Sequence, residues 1–367
     1  NVTYIKDPNY WAKDLDVNGG MYNFEKISVD YYLDDSSRFE AFKAGLFDFY
    51  QIWDPTRWNK LKSEKNVANG NIVLLNIPRK TPAGMLGLAL NTRREKLSNV
   101  NIRMALSTLF DFKWINKNLY HGLYKRTTGF YDNSYLSSID SPITSREIQL
   151  LGEDLISEME KANDNFKLLN DKSTREKLRN ALTIFNSEGY VLEDSRLINK
   201  DTKEPFVLEF LISDKRQEKY ALNYKKNLEK IGIDLSITMV DSTQYQQRKQ
   251  NFDFDIIEHF WYASLSPGNE QYFYWGSKNV DVVGSRNYAG INDPKIDSMI
   301  DNMITSKEKD DFIAATRSLD RLLISGHYVI PLFHWPHQWV AISNRVSQPK
   351  TLSLDGYKIN SWYINDE

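Results

Sequence analysis

The densest gathering of side chains able to recognise another molecule runs Trp261-Tyr262-Ala263-Ser264-Leu265-Ser266-Pro267-Gly268-Asn269-Glu270-Gln271-Tyr272-Phe273-Tyr274-Trp275. It follows a buried-looking strand and mixes aromatic rings, a Pro-Gly turn and neutral hydrogen-bonding groups. Rings of this kind offer apolar area with a polar tip, and loops at strand ends are where α/β proteins hold ligands. A short polar sequel, Gly284-Ser285-Arg286-Asn287-Tyr288, reads as a second loop reaching the same neighbourhood. The competing reading of the long stretch is an aromatic-braced structural loop.

Bond-making chemistry finds less support. Of the five histidines, His334 and His337 flank a proline, so a helix cannot present both rings together. There is no His-Glu-x-x-His and no carboxylate cluster at ligand spacing, so no metal site is expected. Gly-x-Ser-x-Gly, the dinucleotide glycine fingerprint and the phosphate loop are all missing, which weakens hydrolase and nucleotide readings. Cysteine is absent, removing disulfides, thiolate zinc sites and cysteine nucleophiles. Paired acids such as Asp34-Asp35 and Asp310-Asp311 fall in charged stretches and read as wet surface. No catalytic residue and no cofactor is assigned.

The elements that must position these residues alternate in type. Ser28 to Tyr32 reads as a strand, Ser37 to Ala44 as an amphipathic helix stopped at Gly45, and Phe47 to Ile52 as another strand. Ile72 to Ile77 and Met85 to Asn91 are apolar strands, and Asn99 to Asn116 reads as one helix. The chain then loosens into a loop from Lys125 through Phe130, Tyr131 and Asn133. Helices are expected at 145–161, 173–187, 215–230, 293–304 and 309–324. Strands are expected at 206–212, 233–240, 252–260 and 328–333. Strands alternating with helices of this length argue for α/β lobes with mixed sheets. No repeat or Pro-rich linker divides the chain, which suits two lobes joined by crossing strands.

The chain of 367 residues is long enough for two domains. Its net charge of −2 provides no electrostatic footprint for a phosphate backbone, so no nucleic acid is expected as partner. Its longest apolar runs are too short to span a bilayer. The opening Asn1-Val2-Thr3-Tyr4 has no basic-then-apolar leader pattern, which suits a cytoplasmic chain or a mature or trimmed one.

Several segments resemble a known family. Asp7-Pro8-Asn9-Tyr10-Trp11 followed by Phe39-Glu40-Ala41-Phe42-Lys43-Ala44-Gly45-Leu46-Phe47-Asp48-Phe49 is similar to the signature of the oligopeptide/dipeptide-binding (family 5) extracellular solute-binding proteins of ABC importers. Asn91-Thr92 with Val100-Asn101-Ile102-Arg103-Met104-Ala105-Leu106 looks like that family's crossing into its second lobe. The 264–271 and 284–290 segments resemble its YejA-type subgroup. The similarity runs along essentially the whole chain. It implies an α/β, bilobed periplasmic-binding-protein type II fold with mixed sheets flanked by helices. It also implies a non-enzymatic role in the periplasm of a Gram-negative bacterium: capture of oligopeptides, peptide–nucleotide antibiotics among them, in an interlobe cleft. Delivery would be to an ABC permease and its ATPase in the inner membrane. An extended peptide satisfies its backbone against strand edges while wet pockets accept varied side chains.

Two departures accompany the resemblance. Where the dipeptide branch carries an aspartate for the ligand's α-ammonium, this chain has Ser264, so that ion pair cannot form there. The family's mature chains are also longer, which implies that the signal sequence and an N-terminal part are absent and the first lobe is incomplete. The expected division is 1–88 and 341–367 in the first lobe, with 89–340 as the ligand-binding second lobe. Gly356-Tyr357 and Trp362-Tyr363 would then pack on the first lobe. A separate N-terminal segment, a neighbouring molecule or an oligomer partner is expected to cover a sheet running from 28–32 to 72–77.

The expected ligand-binding residues are Trp261, Tyr262, Ser264, Asn269, Glu270, Arg286, Asn287 and Tyr288, with Phe130, Tyr131 and Asn133 as further candidates. Arg286 can pair with a ligand carboxylate, and Asn269 and Asn287 can serve peptide groups; the competing reading of Arg286 is an internal ion pair. An oligosaccharide binder of the same fold, stacking sugars on Trp261, Tyr262, Trp275 and Trp335, is the first alternative. A hydrolase acting on peptide or glycan is the second.

Overall fold

The computed structural model describes residues 1–139 and 141–365. They fall into two units, one of residues 1–81, 120–123 and 335–367, the other of 82–119 and 124–334.

The first unit opens with an antiparallel ribbon of β1 (Val2–Ile5) and β2 (Lys26–Val29), Val2 facing Val29. Helix α1 (Asp35–Lys43) starts where the Asp34 carboxylate accepts the amides of Ser36 and Ser37, donors that a helix leaves free in its first turn. Its Phe39 and Phe42 are buried. Strand β3 (Phe49–Ile52), helices α2 (Pro55–Leu61) and α3 (Lys65–Ala68), and strand β4 (Ile72–Pro78) follow.

The second unit runs through β5 (Met85–Leu90), α4 (Val100–Thr108), α5 (Phe112–Leu119) and β6 (Lys125–Arg126). Next come α6 (Ser145–Leu151), α7 (Glu153–Asp171), α8 (Thr174–Ser187) and a hairpin of β7 (Tyr190–Glu193) with β8 (Arg196–Asn199). The remainder is β9 (Val207–Ile212), α9 (Lys215–Glu229), β10 (Asp234–Met239), α10 (Ser242–Gln250) and β11 (Ile256–Trp261). It ends with α11 (Glu270–Trp275), α12 (Pro294–Thr305), α13 (Lys309–Ser325), β12 (Val329–Pro331) and β13 (Phe333–His334).

Two helices expected as single rods are broken for local reasons. Between α4 and α5 the Asp111 carboxylate accepts the Trp114 amide at 3.0 Å, starting a new helix instead of continuing the old one. Between α6 and α7 stands Gly152 at φ 83°, a left-handed conformation that only glycine adopts without strain.

One mixed sheet of order β10-β9-β11-β5-β12 organises this unit. β9 runs parallel to both β10 and β11, while β5 is antiparallel to β11 and β12. On β11, Ile257 and Trp261 point to one face with Met85 and Ala89 of β5, as period-two alternation demands, and all four join the main core.

The chain then returns to the first unit. Strand β14 (His337–Ser343) sits between β3 and β4, and the pair β15 (Val346–Ser347) and β16 (Tyr363–Ile364) closes the chain. Trp362 is buried against Ile77, Val340, Ile342 and Val346. The 28–32 and 72–77 segments do not share a sheet: β2 pairs with β1, whereas β4 pairs with β14. Joints at 88/89 and 340/341 would cut β5 and β14, each of which lies whole within one unit.

Candidate functional site

The expected ligand-binding residues come from three loops of the second unit, and the structure packs those loops together. Trp261 ends β11 with its indole N–H donating to the Arg286 carbonyl at 3.2 Å, which ties the 284–290 loop to the strand end. Its ring lies 5.1 Å from Trp275, whose own indole N–H donates to Gln271 Oε1 at 2.9 Å. Phe130 meets Trp275 edge-on at 5.0 Å, and the Tyr135 hydroxyl donates to the Leu265 carbonyl at 3.4 Å. Phe130, Tyr131, Trp261, Trp275 and Tyr288 are all buried in one cluster. They are the floor of the site rather than its contact surface.

Above this floor stand Tyr262, Ser264, Asn269, Glu270, Arg286 and Asn133, all exposed. Tyr262 leans its edge on Phe260 at 4.7 Å. Glu270 accepts the Gly268 amide at 2.9 Å and an amide hydrogen of Gln271 at 3.2 Å, so one carboxylate oxygen braces its own turn. Ser264 Oγ accepts the Ser266 amide at 3.1 Å. Arg286 makes no ion pair among the described residues, which removes the internal salt bridge as its explanation; its guanidinium lies over the rings of Tyr274 and Phe273 at 5.9 and 6.0 Å.

Asn287 behaves differently. Its side chain is fully buried, donates to the Gly276 and Ile291 carbonyls at 3.2 and 2.8 Å, and accepts the Ile291 amide at 2.8 Å. That amide is committed to shaping the loop. The same loop is held from the turn after β5: Thr92 Oγ1 donates to the Ala289 and Gly290 carbonyls at 2.8 Å, and Arg93 Nη2 donates to the Asn287 carbonyl at 2.9 Å. A Cβ at Gly290 would stand 2.8 Å from Thr92 Oγ1, so the close approach needs glycine.

The loop expected from Lys125 through Asn133 begins with β6, and the stretch from Thr128 to Ser138 is latched by two buried carboxylates. Asp132 accepts the Thr128 amide at 2.6 Å and its hydroxyl at 2.9 Å. Asp320, from α13, accepts the Phe130 amide at 2.7 Å and the Ser138 amide and hydroxyl at 2.9 and 2.7 Å. Burial raises both carboxyls, with Asp320 pushed up to about 6 despite three donors and with Asp132 adding to the rise.

The polar centre beside Trp261 was not visible from motifs. His259, two residues before Trp261, stands edge-on to Trp261 and Tyr288 at 4.8 and 4.6 Å. Lys249, from the last turn of α10, donates to His259 Nδ1 at 3.0 Å. An ammonium has only donors, so Nδ1 accepts and the ring proton sits on Nε2; that nitrogen is buried with no partner among the described residues. Burial first, then the charges of Lys249 and Arg286, depress the imidazole to about 2. Burial lowers Lys249 to about 8, helped by Arg286 and opposed by Glu258. Strand alternation from Trp261 could have found His259; nothing in the sequence pairs it with Lys249 from another element.

This assembly offers donors, acceptors, one exposed cation and ring edges. Of the rings offered for sugar stacking, Trp261 and Trp275 are buried, Trp335 lies 5.4 Å from Trp53 in the first unit, and Tyr262 is exposed. Among the described residues no group of three or more His, Asp or Glu is placed to hold a metal, and no helix is long and apolar enough to cross a membrane.

Comparison with known proteins bears on the fold. The chain is 40% identical over 371 residues to a Brucella suis protein named only as a binding protein, covering 99% of this chain and 59% of that relative. It is 36% identical over 358 residues to "Probable peptide-binding protein YejA" of Agrobacterium fabrum, covering 96% of this chain and 58% of that one. The chain thus spans about three fifths of the length of these relatives. The oligopeptide-binding protein AppA of Bacillus subtilis, solved in complex with a nonapeptide, shares the fold with a TM-score of 0.65 at 15% identity, over 93% of this chain and 61% of AppA. Residues 1–281 match the family described as "Bacterial extracellular solute-binding proteins, family 5 Middle". The chain belongs to the bacterial extracellular solute-binding proteins of family 5.

Proposed function

We propose that this chain is the periplasmic substrate-binding component of an ABC importer, capturing oligopeptides and passing them to an inner-membrane permease and its ATPase. The observation that carries this reading is the exposed rim of Tyr262, Ser264, Asn269, Glu270 and unpaired Arg286 standing on a buried aromatic floor. A peptide presents amide donors and acceptors at every residue, and a rim of mixed polarity matches many of them without demanding one sequence. Family membership and a relative described as peptide-binding support the same reading. The two units correspond in this reading to the family's two lobes, and the role is binding without turnover.

Native mass spectrometry of protein purified without added ligand tests it. Co-purified peptides of several lengths are expected. Co-purified oligosaccharide, or hydrolysis of added peptide, would replace this reading with one of its alternatives.

A further inference from the structure

Several buried or half-buried cations of the second unit have polar partners. Arg321 has Glu147 at 2.9 Å, and Arg248 has Glu209 at 2.7 Å and Asp253 at 2.9 Å. Arg103, without a carboxylate, donates to the carbonyls of Leu97, Ser98 and Gly326 at 2.6–2.9 Å. Standing outside this group are Arg126, whose Nη1 is buried without a hydrogen-bond partner among the described residues and whose guanidinium packs on the rings of Phe110 and Phe112, and Lys249. Lys249 is buried and forms no ion pair among the described residues, and it offers three N–H donors to one neutral acceptor, His259 Nδ1. Its ammonium also lies 4.7 and 5.7 Å from the ring centres of Tyr288 and Tyr245. Glu258 points to the other face of β11, where it accepts from Gln217 Nε2 at 3.0 Å and from the Tyr220 hydroxyl.

Arg286, over the rings of Tyr274 and Phe273, likewise has no ion pair among the described residues, and its charge disfavours the Lys249 ammonium. Two uncompensated cations with one of them desolvated are a standing cost to the fold. Such costs are kept where binding needs them.

We infer that Lys249, steadied by His259 and seconded by Arg286, is a recognition point for a carboxylate of the bound peptide. The inference rests on the peptide reading above. A carboxylate has two oxygens for the unmatched N–H groups of Lys249 and one more charge-assisted bond for Arg286. The carboxylate can be the peptide's C-terminus or an acidic side chain; both present the same chemistry.

Three synthetic pools of three- to nine-residue peptides built from Gly, Ala, Ser and Tyr distinguish the sources. One pool has free C-termini, the second has C-terminal amides, and the third has C-terminal amides with one internal Glu. Retention by the full chain is read by mass spectrometry. Wild type is expected to hold the neutral amide pool at least tenfold less than the free-acid pool, the Glu pool, or both, and whichever is retained names the source. Lys249→Met is expected to hold all three alike. Equal retention of all pools by wild type, or unchanged discrimination in Lys249→Met, overturns the carboxylate site and leaves the peptide reading standing. No retention of any pool overturns both.

Thermal melting without ligand supplies the second readout. Because the variant sheds an unpaired buried charge, Lys249→Met should melt at or above wild type. A variant melting well below wild type marks a structural lysine and overturns the inference.

Discussion

At the scale of single residues, the site is governed by which side chain carries which proton. His259 is held neutral by burial and by the cations beside it, its value falling from 6.5 to about 2. The folded chain therefore refuses a proton that the unfolded chain accepts below about pH 6.5, so this contribution to stability is complete above that value and is lost as pH falls. The loss is at most about 1.4 kcal/mol per pH unit. Replacing His259 by Asn should remove this slope, so the stability gap between wild type and variant narrows from pH 7 to pH 5 in urea titrations. Nitrogen-15 NMR at pH 6 should find His259 neutral, with its proton on Nε2. An imidazolium signal there, or a gap independent of pH, would show that the ring is not screened as the structure places it.

At the scale of elements, α13 determines the form of a loop distant in sequence. Asp320 collects the Phe130 amide, the Ser138 amide and the Ser138 hydroxyl, and so converts an apparently loose polar stretch into one wall of the site. Removing the acceptor leaves buried donors without partners, at about 1–3 kcal/mol each. Asp320→Ala is expected to destabilise the second unit by about 3 kcal/mol. Hydrogen exchange should show the Phe130 and Ser138 amides losing protection first. If those two amides stayed protected, the latch would lie elsewhere.

At the scale of the molecule, two units with separate cores share one chain. The core around Ile77, Val340 and Trp362 belongs to the first, and the cluster around Trp261, Phe254 and Leu319 to the second. Large apolar side chains such as Tyr4, Ile5, Trp11, Tyr31 and Leu33 remain exposed in the first unit, and its β1–β2 ribbon has little cover. Chains of this build depart from two-state unfolding. Hydrogen exchange along a urea series should give β3, β4 and β14 an earlier midpoint than β5, β9 and β11. Coincident midpoints would mean that the units unfold as one.

How much was legible beforehand follows from what each feature depends on. Local order was legible: strands were expected at 85–91, 206–212 and 233–240, where β5, β9 and β10 stand, and helices at 173–187, 293–304 and 309–324, where α8, α12 and α13 stand, because strand and helix patterns arise from backbone geometry alone. The aromatic–polar loops from Trp261 and Gly284 were legible as candidates, since composition shows what a loop can offer. Tertiary structure decided which candidates face outward: Tyr262 and Arg286 do, whereas Trp261, Asn287 and Tyr288 are buried. Burial depends on neighbours contributed by other segments, as when Arg93 anchors the loop at Asn287 from 194 residues away. The Lys249–His259 contact and the Asp320 latch likewise join separate elements, so no spacing rule reveals them. Periodicity records what the backbone imposes on near neighbours, while charge, protonation and exposure are set by whatever the fold brings alongside.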